Sequence, residues 1–468
     1  MPNKMIKFIP KKINIFEFWV LLISVTIIIE LFIQPNIDSQ KSTGGSFAFN
    51  ILGFTVLSSE LLIYIFILWG SVVIMAKKTE YFKKIIFAPK IYSPLPGIIF
   101  LLILLSCIMG FSTHFLIANI RSVLLPVLFY IVYINMRISY VWEKNILYIM
   151  IIGITGLTIY YLIPYYNLPF TTGFSGVLFN TTTFDIQKFR YLNLMSLLVF
   201  IVAMSRLLYS NFSFKWLFIL LLCLYNFFLF FGLKSTMVPL ICSLILIFYL
   251  KSKNSSFGLK KPFILVCTVA LLFYGLVMSL SESSQDSLAY LIGNRYLKTG
   301  DITNVDEFKE LPSTYKSLNT SGIFSSRPSL WVKHLKESLE GFGLAPNGFG
   351  YVGFRGGGSI ESQSSHSIIV FFALNSGIIT AFLMLLVIIR YVHLNIRVFA
   401  KLKLEQYGLI RGDDLTGVFC FTVAIIIASM WEGSMQNIHL AFLFWFCTAI
   451  VLKRWDLMKK ATMKKYVP

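Results

Sequence analysis

Arg327 and Trp331 and then eight glycines between Gly341 and Gly358 stand in the one long polar stretch of this chain, residues 282–365, and His366 follows where the chain re-enters apolar sequence. An arginine is a permanent cation, an imidazole can exchange a proton near neutrality, and closely spaced glycines give a backbone wide conformational freedom. Further charged residues stand in or beside apolar runs: Glu30, Glu60, His114, Arg121, Arg190, Lys234, Glu432 and His439. A charge inside a bilayer costs about 2.5–3.5 kcal/mol on insertion scales, so each marks a functional position or a buried partner. Most of them fall toward one end of the apolar runs, as a polar chamber opening on one face would require. Glu60 lies deeper and reads as a polar bridge between helices, and Glu17 as an interfacial residue.

The elements that position these groups are hydrophobic helices. The 468 residues are 57% hydrophobic and 13% charged, about half the charge content of soluble domains, and the mean hydropathy is +0.76. Apolar runs of about 20 residues, long enough to cross roughly 30 Å of hydrocarbon, recur along the chain. The predicted spans are 13–33, 49–76, 94–111, 114–136, 145–166, 191–209, 215–232, 236–250, 262–281, 366–390, 414–431 and 438–452. The fold class is therefore an all-α polytopic membrane protein of about 12 transmembrane helices. Three regions follow: an N-terminal bundle over 1–281, a large loop over 282–365, and C-terminal helices with a basic tail over 366–468.

A net charge of +20 would suggest nucleic acid in a soluble protein. Here Lys and Arg gather in alternate connections, the pattern of positive-inside topology, which puts both termini in the cytoplasm and the large loop outside. The stretch from Lys77 to Lys90 and the tail from Lys453 to Lys465 anchor that orientation and read as solvated surfaces. The first apolar run lacks a cleavage pattern and reads as a span rather than a signal peptide. All six cysteines fall in apolar runs and read as buried thiols, which excludes a disulfide framework in the loop.

Within the loop, Trp331, Leu335, Leu339 and Phe342 recur at helical spacing behind Ser326 and Pro328, predicting an amphipathic helix. The glycine segment has no preceding strand and no nucleotide-binding spacing. It reads as a flexible lid or path wall, with aromatic faces at Phe342, Phe349, Tyr351 and Phe354.

From Ser325 to Leu386 the chain resembles the O-antigen polymerase and O-antigen ligase family. The resemblance rests on Arg327 with Trp331 four residues on, on Gly341–Phe342–Gly343 and Gly348–Phe349–Gly350, and on His366–Ser367. Nine residues after that pair comes Gly377, with Thr380 three further on. Upstream, Arg190 within Phe189–Asn193 matches the family's arginine at the start of a mid-chain span. Lys234–Ser235 stands where many members have Arg–Ser, and Ser367 where Asn is more usual.

The resemblance implies a GT-C-like membrane glycosyltransferase that moves glycan from undecaprenyl diphosphate to a sugar hydroxyl. Arg190, Lys234 and Arg327 would bind the substrate diphosphate, since fixed cations suit a departing diphosphate. His366 would be the general base or a substrate-binding group, with Glu432 as the alternative base. Trp331, Phe349 and Tyr351 would line the glycan path. No cofactor, metal or nucleic acid is expected. The expected partners are the undecaprenyl-diphosphate-linked oligosaccharide, as donor and acceptor, the bilayer, and a chain-length regulator. The expected location is the bacterial inner membrane, with the active face periplasmic. A polymerase joining lipid-linked repeat units is the leading reading. A ligase to lipid A–core and a lipid-linked oligosaccharide flippase or exporter are the alternatives. A flippase calls for charges spread through a central cavity rather than gathered on one face.

Overall fold

The computed structural model describes residues 14–33, 48–51, 54–76, 95–110, 116–136, 138–162, 186–209, 213–229, 234–254, 347–351, 367–402, 406–407, 410–431, 435, 437–455 and 457–458. In chain order these form α1 (Ile15–Ile33), the hairpin β1 (Ala48–Ile51) and β2 (Phe54–Leu57), α2 (Ser58–Ala76) and α3 (Leu95–Met109). Next come α4 (Leu116–Asn119), a π turn (Ile120–Leu124), α5 (Leu125–Asn135), α6 (Tyr140–Leu162), α7 (Ile186–Tyr209), α8 (Phe214–Leu229) and α9 (Lys234–Asn254). The chain continues with α10 (Ile368–Ser376), α11 (Ile378–Phe399), the short hairpin β3 (Gln406–Tyr407) and β4 (Ile410–Arg411), α12 (Gly412–Trp431) and α13 (Ile438–Lys453).

The protein is a helical membrane protein. Among the described residues, five helices are long and apolar enough to cross a bilayer: α1, α2, most of α9, α11 and α12. Shorter apolar helices pack among them. The described parts of α7, α12 and α13 are buried nearly all round, as expected of helices that are apolar on every face. Around this centre, α1, α2, α3, α8, α9 and α11 turn large apolar side chains outward, including Leu68, Leu101, Phe218, Ile245 and Phe382. Such a surface is stable only against hydrocarbon.

Charged pairs define the two ends of the bundle. At one end, called lower here, Glu143 at the start of α6 meets Lys453 (3.1 Å) and Arg454 (2.6 Å) at the end of α13. Nearby, Arg206 of α7 pairs with Asp414 in the first turn of α12, and Tyr148 of α6 donates to the same carboxylate at 2.7 Å. At the opposite, upper end, α1 ends while α2 and α13 begin, joined through Glu30 and His439 (2.7 Å).

Several elements differ from the sequence reading. Residues 49–76 form a hairpin followed by a helix rather than one span. Asn50 pairs with Thr55 and Ile51 with Phe54 across the turn, where Thr55 and Val56 favour the pleat. The run 366–390 divides at Gly377, whose φ of 84° and ψ of 158° end one helix and start the next. The second of these continues past the charged Arg390 to Phe399 because Tyr391, Asn395 and Phe399 remain buried. There Tyr391 and Thr422 share a hydrogen bond (2.8 Å), and the Phe399 and Phe419 rings stack 4.7 Å apart. Lys453 and Arg454 are not a solvated cationic face, because the buried Glu143 carboxylate holds both. Glu17 is likewise buried, accepting from the backbone N–H groups of Asn14 and Ser139. The span expected at 262–281, the loop helix at 328–342 and the 77–90 connection lie outside the described residues.

Candidate functional site at the upper end of the bundle

The upper end is organised by two carboxylates on neighbouring helices. Glu30, one turn before the end of α1, is fully buried. One of its oxygens accepts from the Ser59 backbone N–H at 2.8 Å, satisfying an otherwise open donor in the first turn of α2. The other oxygen lies 2.7 Å from Nε2 of His439 in the first turn of α13, and the Ser59 hydroxyl is 3.4 Å from that same nitrogen. Nδ1 of His439 is buried and has no hydrogen-bond partner among the described residues. Beside Ser59, Glu60 caps its own helix through the Leu57 N–H (2.9 Å) and receives both Nε (3.0 Å) and one terminal nitrogen of Arg121. Arg121 sits in the π turn, where the extra residue per turn offsets the helix face. One charged chain thus ties α1, α2, the π turn and α13 together.

The glycine segment touches this end. Phe349 donates its N–H to the Ser106 carbonyl at the end of α3 (2.7 Å), and the Asn119 side chain donates to the Phe349 carbonyl. Gly348 N–H reaches the Asn375 carbonyl at 3.1 Å. The Phe349 ring is fully buried, with Phe371 at 5.6 Å and Phe372 at 6.4 Å between ring centroids. Its faces are occupied by packing, so it offers no surface for a sugar. Tyr351 is 41% exposed. Residues 347–351 therefore act as a fixed strap rather than part of a free lid.

The expected site residues fall as follows. Arg190 lies in the first turns of α7. Because the far end of α7 meets the start of α12 through Arg206 and Asp414, α7 begins and α12 ends at the upper end. Lys234 is the first residue of α9. The preceding helix, α8, starts at the lower end, where Trp216 lies 5.6 Å from the Arg206 guanidinium. α8 runs from there to Leu229, and α9 begins five residues later at Lys234, at the upper end. The backbones of Arg190 and Lys234 are thus brought to the end holding Glu30, Arg121 and His439. Arg327, Trp331, His366 and Glu432 lie outside the described residues, as do the side chains of Arg190 and Lys234. In sequence, Glu432 follows the last residue of α12, and His366 precedes Ser367, the extended residue that caps α10.

No family model matches this chain, and no curated protein matches it.

A cavity of about 430 Å³ runs between α2, α3, α5, α10, α11, α12 and α13. It extends from Met75, Gly97 and Leu452 below to Val123 and Met435 above. Its lining is aliphatic and aromatic apart from a few hydroxyls such as Tyr130 and Ser429. The cavity is partly open and its lining is overwhelmingly apolar, so a hydrocarbon chain suits it better than water, which needs two to four polar partners.

The sequence singled out Glu30, Glu60, Arg121 and His439 as costly charges and read Glu60 as a polar bridge between helices, as its pair with Arg121 shows, but it did not name the partners, because pairing depends on helix packing. It missed Ser106 and Asn375, which hold the strap through backbone carbonyls that no side chain signals, and Asn119, whose side-chain amide near a helix end was the one available cue.

Proposed function

We propose that the protein is a polysaccharide polymerase, transferring glycan from undecaprenyl diphosphate to a sugar hydroxyl of another lipid-linked repeat unit. The observation that carries the reading concerns the motif beginning at His366–Ser367. Its glycine, Gly377, has a φ of 84°, a conformation that side-chain-bearing residues rarely adopt. Its small residue, Thr380, is fully buried and donates its hydroxyl to the Ser376 carbonyl across the break at 2.6 Å. The motif's glycine and small residue thus fall at a helix junction that has a use for them, which supports the reading. Two further features support the reading: the arrival of Arg190 and Lys234 at one end, and a cavity suited to a hydrocarbon chain.

In this account the full chain has about a dozen spans in a GT-C-like arrangement within the bacterial inner membrane. Both termini are cytoplasmic and the upper end is periplasmic. Arg190, Lys234 and Arg327 neutralise the diphosphate as the anomeric C–O bond breaks. His366 and Glu432 handle the acceptor hydroxyl, and Trp331 and Tyr351 border the glycan. Replacing His366 with Ala and resolving the surface glycan on a gel tests this. Loss of the ladder with a single-repeat band remaining is the expected result. Bare lipid A–core would instead indicate a ligase, and an unchanged ladder would remove His366 from the mechanism.

A further inference from the structure

Hydropathy ends a span at residue 390, yet α11 continues to Phe399 and keeps cations on a face turned away from the bundle. Arg390, His393 and Arg397 follow one another at helical spacing, which stacks them on one side of the helix. All three are exposed. They continue the line of Phe382, Leu386 and Ile389, which are 58%, 37% and 55% exposed. The opposite side of α11 is internal, where Met384, Val387 and Tyr391 line the apolar cavity. The outward face of α11 is thus apolar above and cationic below.

The packing sets the depth of the cations. Tyr391 shares its hydrogen bond with Thr422, near the middle of α12, and Phe399 stacks on Phe419 below it. The lower charged layer begins at Asp413 and Asp414, in the first turn of α12. From Arg390 to Arg397 the stripe therefore descends about 10 Å through the lower half of the bundle, at ~1.5 Å per residue. Long arginine stems extend this reach toward the headgroups.

The neighbouring elements supply no counter-charge. From Ile378 to Leu404 the sequence holds no Asp or Glu, and α3, packed beside α11, carries no charged residue. On α12, Asp413 and Asp414 are taken by Arg411 and Arg206. Among the described residues, none of the three cations meets a carboxylate. Positive-inside charge ordinarily gathers in the connections between spans. A cation on a helix face turned toward lipid is costly unless an anion or water reaches it.

We infer that the lower half of α11 carries a binding site for an anionic phospholipid of the lower leaflet. Arg390, His393 and Arg397 take the headgroup, the guanidinium forks matching its phosphate oxygens. An acyl chain lies above it along Ile389, Leu386 and Phe382. The lipid seats the helix whose other side walls the cavity. The site is independent of the polymerase reading, since it requires only that α11 faces the bilayer.

The test titrates full-length protein in detergent micelles with phosphatidylglycerol or phosphatidylcholine of the same chains and resolves successive lipid adducts by native mass spectrometry. Wild type should bind the first phosphatidylglycerol more tightly than phosphatidylcholine. Arg390→Gln combined with Arg397→Gln should weaken that binding by about 10- to 30-fold, the worth of two cations near an anionic surface, and leave phosphatidylcholine unchanged. Lys215→Gln combined with Lys253→Gln removes the same charge from exposed lysines at the lower ends of α8 and α9, and should change it by less than about threefold. An arginine pair within about threefold of wild type would overturn the inference. So would a lysine pair that loses as much as the arginine pair, or a wild type that does not distinguish the two lipids. Should the arginine variant fail to fold, a photoactivatable phosphatidylglycerol on the wild type decides: labelling within residues 382–397 is expected, and labelling confined to other helices overturns the site.

Discussion

Gly110 and Gly348 pass so closely that neither has room for a side chain. A Cβ on Gly110 would lie 2.7 Å from the backbone nitrogens of Phe349 and Gly350, and one on Gly348 would lie 2.8 Å from Cα of Gly110. The opposing atoms are backbone, so nothing can swing aside. Gly348 also has a φ of 104°, which adds strain to any substitution there. This contact seats the strap on α3, with Ser106, Asn119 and Asn375 holding it from three helices.

Gly110→Ala should therefore lower stability by about 1–3 kcal/mol, the usual range for overpacking. It should also free the strap, seen as faster proteolysis around residues 347–351. Thermal unfolding in detergent measures the first effect. Gly156, whose added Cβ would meet nothing within 4 Å, is the control and should tolerate Ala.

Arg121 and Glu60 form a buried pair on adjacent helices, and removing one charge strands the other. Arg121→Ala should cost about 3–5 kcal/mol. The double replacement Arg121→Met with Glu60→Gln should recover a large part of the loss, because no buried charge is left unpaired. A double-mutant cycle on unfolding midpoints, with Arg121→Met and Glu60→Gln as its single variants, checks this. Equal losses for the single and double variants would contradict it.

At the lower end the same reasoning separates two arginines. Arg454 is fully buried against Glu143, but Lys453 holds the same carboxylate at 3.1 Å, so Arg454→Ala strands no charge and should destabilise by about 1–3 kcal/mol. The Arg411 side chain, 39% exposed beside Asp413, should lose at most about 1 kcal/mol when replaced by Ala, as exposed pairs do.

These pairs also show how far the sequence could be read. Hydropathy located the apolar helices to within a few residues in most cases, because bilayer thickness imposes their length. Composition alone could not show that residues 49–57 leave the helix, since β-branched apolar residues suit strand and membrane helix alike. It could not divide 366–390 either, although Gly377 stood in the motif as the cause. Lys453 and Arg454 looked like tail charges because their partner, Glu143, is some 310 residues away in the chain. In the candidate site, each costly charge was visible singly. The pairings Glu30–His439 and Glu60–Arg121 were not, as they arise from which helices become neighbours. Phe349 looked like an exposed aromatic in a loose loop, whereas two hydrogen bonds through its own backbone and a third through Gly348 draw it into the core.

Gly377→Ala should disturb the junction of α10 and α11, since alanine is strained at a φ of 84°. Glycan chain length in cells should shorten while the protein remains in the membrane. Thr380→Val, which keeps the shape and removes the hydrogen bond to Ser376, should cost about 0.5–1.5 kcal/mol in stability. Glycan gels and membrane immunoblots of the same cells check the pair.

The central claim is that this one chain lengthens lipid-linked glycan. The direct measurement places purified full-length protein in liposomes with a single undecaprenyl-diphosphate-linked repeat unit and no other protein. The account predicts products at successive multiples of the repeat, with undecaprenyl diphosphate released once per addition. A repeat unit that is never lengthened, while the same protein is folded and binds the lipid, would contradict it.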